Sequence, residues 1–201
     1  MVLRKLYGGA NRTWVEYDNI PKNLIHACIA IEDKRFIDHQ GVDWFTTMKA
    51  CVKMFLGQGE AGGSTITQQL VKLTHLSGAK TLSRKAQEAF LALQLERRLS
   101  KDEILELYLN TTYFGAGSTG IKQASRTYFG KAPSALTLAE AAVIASLPYA
   151  PTGLNPLENP EGCKKRQLLV LAAMHKYGMI NQGQLAEAKA EKIRLTNGTV
   201  M

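Results

Sequence analysis

Gly62-Gly63-Ser64-Thr65-Ile66-Thr67-Gln68-Gln69-Leu70-Val71-Lys72 is the stretch on which the reading of this chain turns. Two glycines free the backbone, and Ser64 or Thr65 is placed to cap the helix that follows. Thr65 and Gln68 stand in the T-x-x-Q spacing of a capping box. A helix start reached through a glycine turn is expected to present unpaired N–H groups and the positive end of the helix dipole. Gln68 and Lys72 lie one turn apart and are expected on one face, with Gln69 beside them. Two long amides and an ammonium on one face suit a sugar-phosphate better than a hydrophobic core. Read alone, the same stretch is also a well-capped surface helix.

Working outward, the pattern is helical nearly everywhere. Pro21 opens a helix whose apolar stripe is Leu24, Ala27, Cys28 and Ile31, fraying near Glu32–Lys34. Asp43 caps a second helix from Trp44 to about Leu56, and the glycine-rich loop Gly57–Gly63 leads to the Thr65–His75 helix. Ser83 is expected to cap a helix through Arg98, and Ser100 with Glu103 forms a capping box for a helix up to Asn110. Further helices are expected over Ile121–Tyr128, from the Thr137/Glu140 box to Pro148, and over Gly162–Tyr177 and Gln182–Lys192. Short β segments at Thr13–Tyr17 and Ile193–Thr196 are minor possibilities. The expectation is a mainly α, single-domain chain over residues 1–201, with neither repeats nor an internal linker.

Composition narrows the partners. With 201 residues and 45% hydrophobic content the chain is long enough to bury a sizeable core, as one domain or as two lobes sharing it. Its net charge is +8, and between Val71 and Lys131 ten Lys/Arg face five Asp/Glu. Nucleic acid, an anionic membrane surface and a phosphorylated substrate all suit that charge. No helix concentrates Arg/Lys with base-reading Asn or Gln, which argues against nucleic acid. Cys28, Cys51 and Cys163 are scattered, without metal-ligand spacing, and read as buried thiols. No run approaches the roughly 20 apolar residues that span a bilayer, and no signal peptide opens the sequence.

Two acidic positions stand out. Glu32-Asp33-Lys34-Arg35-Phe36-Ile37-Asp38-His39-Gln40-Gly41 reads E-D-x-x-F-x-x-H-x-G. Glu32 falls in the last turn of the first helix, where the dipole's negative end and the neighbouring Asp33 disfavour its charge, a setting that suits a general base. Lys34 and Arg35 oppose that effect. The plainer readings are a solvated helix end and, for His39, a hydrogen-bonded structural histidine. Arg84 and Glu88 are spaced i, i+4, which reads either as a surface ion pair or as a second carboxylate set among cations for a diphosphate or its metal ion. Lys80, in the preceding loop, could reach the same anion. Glu103 competes for the acidic role, but its capping-box position accounts for it.

Taken together, these stretches resemble the peptidoglycan glycosyltransferases, glycosyltransferase family 51, found in bifunctional penicillin-binding proteins and monofunctional glycan polymerases. The resemblance covers roughly Tyr17 to Lys192 through five motifs in order: EDKRFIDHQG from Glu32, GGSTITQQLVK from Gly62, RKAQEAFLALQLE from Arg84, SKDEILELYLNTTYFGAGSTGI from Ser100, and LTLAEAAVIASLPYAPTGLNP from Leu136 followed by RQLLVLAAM from Arg166. One departure is Ser118-Thr119-Gly120, where the family often carries an aromatic residue before the last glycine of the fourth motif.

The resemblance implies a lysozyme-like bilobal helical fold with a small membrane-facing jaw, roughly residues 42–80. It implies polymerisation of lipid II, with the lipid-linked growing glycan as donor and undecaprenyl diphosphate released with inversion. Glu32 matches the family's general base and Glu88 its second essential carboxylate. Ser64, Gln68, Gln69, Lys72, Lys80 and Arg84 fall where the family contacts diphosphate and sugars, while Asp33, Phe36 and His39 shape the first motif. A divalent cation, magnesium or manganese, is expected to assist through ligands that are not assigned, and no organic cofactor is expected.

Partners implied are lipid II, the membrane surface, other cell-wall synthesis proteins and moenomycin-type inhibitors, at the extracytoplasmic face of the bacterial plasma membrane. The wide apolar surface of Val42, Trp44, Phe45, Met48, Val52, Phe55 and Leu56, interrupted by Lys49 and Lys53, suits an interfacial element or an ordinary core helix. Neither the family's transmembrane anchor nor a transpeptidase domain is found, and the chain is expected to be a segment of something longer. Ser77-Gly78-Ala79-Lys80 spells S-x-x-K without the S-x-N and K-T-G partners of a transpeptidase, and reads as coincidence. A muramidase-type hydrolase and an inactive scaffold of a synthesis complex are the alternatives.

Overall fold

Pro21 presets the backbone for a first helical turn, and its carbonyl accepts from Leu24 N at 2.9 Å and Ile25 N at 3.2 Å. Helix α1 follows over Lys22–Glu32, with Leu24, Ile25, Ala27 and Cys28 buried as the stripe requires. The computed structural model describes residues 14–55, 63–75 and 82–201, without the side chains of 50–55, 75 and 82. Lys80, the S-x-x-K tetrapeptide and most of the glycine-rich loop lie outside the described residues.

The caps set the remaining starts. Asp43 opens α2 (Trp44–Phe55), its carboxylate accepting from Thr46 N at 3.1 Å and Thr46 Oγ1 at 2.6 Å. Helix α3 spans Ile66–His75 and α4 spans Leu82–Glu96. Because α4 already includes Leu82, Ser83 sits inside the helix and is not its cap. The Ser100/Glu103 box opens α5 (Lys101–Thr111), with Ser100 N donating to Glu103 Oε2 at 2.8 Å and Glu103 N to Ser100 Oγ at 3.2 Å.

Helix α6 covers Ile121–Phe129, and the Thr137/Glu140 box opens α7 (Leu138–Ser146), which passes into a 3-10 turn through Pro148. Helix α8 (Pro160–Lys176) begins two residues before the expected Gly162, because Asn159 caps Gly162 N at 2.9 Å and Pro160 fills the first position. Asn181 and Gln184 box the start of α9 (Gln182–Ala190). Among the described residues there is no sheet, only the isolated bridges Tyr113–Thr119 and Arg194–Val200. Of the minor β possibility at Thr13–Tyr17, residues 14–16 form no strand and Tyr17 opens a 3-10 turn.

The chain divides into two compact units, one of residues 1–31 and 109–201, the other of residues 32–108. The division falls at the last residue of α1 and inside α5. In the first unit α7 is the centre: Ala139 through Ser146 are all buried, packed against α8, with α9 on α8 in turn. The buried Gln167 amide donates to Ala139 O at 2.9 Å, tying α8 to α7. In the second unit α3 packs on α4, with Val42, Val71 and Ala92 at the centre of the contact. Phe36, Ile66 and Leu70 are fully buried there. Residues 42–80, the expected jaw, lie within this second unit.

Asp43 carries a pH-dependent part of the second unit's stability. Burial pushes its carboxyl up, but the two Thr46 hydrogen bonds, the Arg35 guanidinium 3.4 Å away and His39 together hold it below the usual carboxylate range. A depressed carboxyl stabilises the fold above its unfolded value, and the gain is lost as pH falls through the lower folded value. Asp43→Ala should therefore cost about 1 kcal/mol at pH 7. In denaturant titrations the gap to the parent chain should close as pH falls below about 4.

Candidate active site

The loop from Glu32 to Gly41 is fastened to α3 at both ends. Asp33 turns its carboxylate to the start of α3, where Oδ2 accepts from Ile66 N at 3.0 Å. The same oxygen lies 2.9 Å from His39 Nε2, which must carry the hydrogen because a carboxylate only accepts. At the far end Thr65 Oγ1 donates to Gly41 O at 2.6 Å. Gly41 has φ +89°, and a Cβ there would meet Ala92 O at 2.6 Å, so only glycine lets the loop pass this close to α4.

Behind the loop lies a charged brace that the sequence reading did not find. Glu96 accepts from Thr67 Oγ1 at 2.5 Å and from Lys101 Nζ at 2.6 Å, and its side chain is 4% exposed. Lys101 also donates to His39 O at 2.6 Å and sits 4.4 Å above the Phe36 ring. Glu96 Oε1 is 4.0 Å from His39 Nδ1, beyond hydrogen-bond reach. The brace joins α4, α5, α3 and the loop through one carboxylate and one ammonium. Only the spacing of Glu96 and Lys101 about the α4–α5 turn signals it in the sequence.

The capping box at α3 is present. Thr65 N donates to Gln68 Oε1 at 3.0 Å and Gln68 N to Thr65 Oγ1 at 3.1 Å. Two expectations about this helix need correction. The backbone N–H groups of Thr65, Ile66 and Gln68 all have side-chain acceptors, so the helix start does not present them to an outside anion. Gln68 and Lys72 are one turn apart, but the Gln68 side chain folds back into the cap and is buried, whereas Lys72 is exposed.

Gln69, one residue on, takes the position expected of both amides. Its Nε2 donates to Glu32 Oε2 at 2.8 Å, and its Oε1 accepts from Tyr108 OH at 3.1 Å. Glu32 ends α1 and is half-buried.

The second carboxylate is tied to the approach to α3 from the other side. Lys85 Nζ donates to Glu88 Oε1 at 2.5 Å and to Ser64 Oγ at 2.6 Å. Glu88 is buried, and Lys85, at i, i+3, sits on it as a cation beside the Arg84 that the sequence suggested at i, i+4. The signal for this pair in the sequence is the i, i+3 spacing of Lys85 and Glu88 in R-K-x-x-E. Asp33, Phe36, His39 and Gln68 are each at most 8% exposed, so they form the frame of the site, while Ser64, Gln69, Lys72, Lys85 and Arg84 reach its surface.

The donor set does not build a cage for a divalent cation. Among the described residues no three His, Cys, Asp or Glu side chains gather, and the Glu88 carboxylate is engaged by Lys85. The described residues therefore do not fit a divalent cation held by protein ligands alone.

A mostly helical chain thus brings two glutamates and several cations close to the start of one helix, α3. Comparison with known proteins gives the class: the family model described as Transglycosylase matches residues 1–175. The chain belongs to the transglycosylase family, the peptidoglycan glycosyltransferases.

Over 189 residues it is 46% identical to penicillin-binding protein 1A/1B of Bacillus subtilis, covering 93% of this chain and 21% of that protein. Over 182 residues it is 43% identical to a Cupriavidus necator protein named as a transglycosylase, covering 90% of this chain and 79% of the other. The crystal structure of penicillin-binding protein 1A from Haemophilus influenzae superposes with a TM-score of 0.56 at 26% identity, over 90% of this chain and 18% of that one. The chain thus spans about a fifth of the length of the penicillin-binding protein from Bacillus subtilis.

The brace yields a stability test. Removing one partner of a buried ion pair strands the other, so Glu96→Ala should destabilise the chain by roughly 3 kcal/mol in denaturant titration. Gln87→Ala, at an exposed position of the same helix and outside the brace, should cost less than about 1 kcal/mol.

Proposed function

We propose that this domain polymerises peptidoglycan glycan strands, transferring the lipid-linked growing chain to the 4-hydroxyl of lipid II. The observation that carries this reading is the unequal setting of two carboxylates, from α1 and α4, that converge on the start of α3. Glu32 is half-open and receives a neutral amide N–H from Gln69, which leaves it able to take a proton. Glu88 is buried against the Lys85 ammonium, so its charge serves to fix that cation.

In the proposed reaction the acceptor O4–H gives its proton to the Glu32 carboxylate as the oxygen attacks the donor's anomeric carbon. The bond from that carbon to the diphosphate oxygen breaks with inversion, and its electron pair leaves on undecaprenyl diphosphate. Charge developing on the diphosphate is met by Lys85, Arg84 and Lys72, joined by Lys80 in the expected set. Ser64 and Gln69 orient the sugars. A divalent cation would be held mainly by diphosphate oxygens.

The lipid substrate fits a further feature of the second unit. Trp44, Phe45 and Met48 are 61%, 56% and 68% exposed at the start of α2, and Ile37 in the preceding loop is 65% exposed. Arg35 and Lys49 stand over the Phe45 ring at 5.4 and 4.0 Å, cations placed where lipid headgroups would lie. No helix among the described residues is long and apolar enough to cross a membrane. Contact is therefore proposed at the interface, on the extracytoplasmic face of the plasma membrane where lipid II is consumed.

Purified chain given lipid II in detergent with magnesium should produce glycan polymers, and moenomycin should block them. Glu32→Gln should lower turnover at least about 10³-fold, in the range seen when a proton-transfer group is removed. Undiminished activity in Glu32→Gln would overturn the base assignment, and release of soluble muropeptides from finished cell wall would point to hydrolysis instead.

A further inference from the structure

We propose that Tyr113 and Tyr149, on two touching loops of the first unit, form a stacking platform for the sugar rings of a β-linked N-acetylhexosamine strand. The choice of sugar rests on the reading of this domain as a glycan polymerase. The platform itself rests on geometry, and none of its residues has a part in the reaction proposed above.

Tyr113 is 42% exposed and Tyr149 66%, yet both rings are held in place. Tyr113 sits in a turn closed by Phe114 N to Ser118 O at 2.8 Å, Ser118 N to Gly115 O at 2.8 Å and Gly120 N to Thr112 O at 2.9 Å. Its own hydroxyl accepts from Gly117 N at 3.3 Å. Ser118 Oγ donates to Thr127 Oγ1 at 2.9 Å and Tyr128 OH to Phe114 O at 2.8 Å, which fastens the turn to α6. Ala116, in the same turn, has φ +47° and is the one non-glycine residue with positive φ among the described residues. Such a conformation persists only where surrounding contacts fix it.

Tyr149 is held by a cation. It ends the 3-10 turn Leu147–Tyr149, and the Arg166 guanidinium of α8 stands 4.1 Å from its ring centroid. Among the described residues Arg166 Nε is buried without a hydrogen-bond partner, so no bond at Nε competes with the stack. One face of the ring is covered and the other is open. The two loops meet backbone to backbone: a Cβ at Gly115, where φ is +88°, would run into the Pro151 carbonyl.

The make-up of this surface indicates its ligand. Ala116, Gly117, Thr119, Thr152 and Gly153, beside the rings in the two loops, are small and exposed. A Cβ at Gly117 or Gly153 would meet nothing within 4 Å, so the space beside the rings is open. A protein partner needs a continuous apolar centre, which such residues do not provide. A pyranose needs less: its C–H face lies on the electron-rich face of an aromatic ring while its hydroxyls stay in water. Rings already fixed lose little freedom on binding.

The test uses the whole chain carrying 3-fluorotyrosine, with the ¹⁹F signals of Tyr113, Tyr149 and Tyr177 assigned from single Tyr→Phe variants. Tyr177 is the control, exposed with Lys176 Nζ 5.8 Å from its ring, and about three helical turns beyond Arg166. Chitotetraose, a β-linked N-acetylglucosamine tetramer, titrated to about 10 mM, should move the Tyr113 and Tyr149 signals with one shared midpoint. The Tyr177 signal should stay in place. Tyr149→Ala removes an exposed side chain, so the fold is retained, and the midpoint read at Tyr113 should rise at least about fivefold.

Unmoved signals, separate midpoints for the two rings, an equal shift at Tyr177, or a midpoint unchanged in Tyr149→Ala overturns the proposal. Binding and polymerisation are read separately. The expected shifts in a chain that makes no polymer from lipid II would sustain the platform and remove the glycosyltransferase reading. Polymer formation by a chain whose two signals stay in place would do the reverse.

Discussion

The Asp33 carboxylate meets the backbone N–H of Ile66 at 3.0 Å, and the arrangement of the second unit follows from that one contact. It places a negative charge on the positive end of α3, a favourable pairing of charge and helix dipole. It also joins residues 33 positions apart in sequence, bringing the end of α1 against the second turn of α3, where Gln69 finds Glu32. His39 holds the same carboxylate oxygen, and Lys101 holds the His39 carbonyl. Each part of the loop is thus fixed by a partner on another helix. Glu32, adjoining Asp33, inherits its position from this frame.

Filling the helix start from within changes how an anion can bind. A glycine turn leading to a helix is often an anion site because its N–H groups point outward. Here Asp33, Gln68 and Thr65 satisfy the N–H groups of Ile66, Thr65 and Gln68. In the proposed reaction the positive charge facing a diphosphate would then come from side chains, and Lys85 is held for that role between Ser64 and Glu88. A flexible ammonium anchored by two partners loses less freedom on binding than an untethered one. Glu88 accordingly has its place as the group that holds a cation ready.

The helical fold was legible because its signals are local. Asp43, Thr65, Ser100 and Thr137 each precede an apolar periodicity, and each proves to cap the helix it announces. Ser83 misled because a cap-type residue is equally at home in a first turn. Within the site, residues were found by motif but their roles were only half read. Spacing along a helix placed Gln68 with Lys72, whereas the capping bond draws Gln68 inward. Lys85, Glu96, Lys101 and Tyr108 take their meaning from contacts across 3 to 62 residues, and the longer of these leave no trace in local pattern.

The central claim is that Asp33, and not substrate, occupies the start of α3 and holds the site in register. The most direct measurement is the affinity of labelled lipid II for Asp33→Ala, by fluorescence anisotropy in detergent, with the fold checked by circular dichroism. The account predicts binding at least about tenfold weaker than in the parent chain, because the loop and the Glu32–Gln69 pair lose their register. Tighter binding in Asp33→Ala would contradict it, showing that the exposed helix start was the diphosphate site all along.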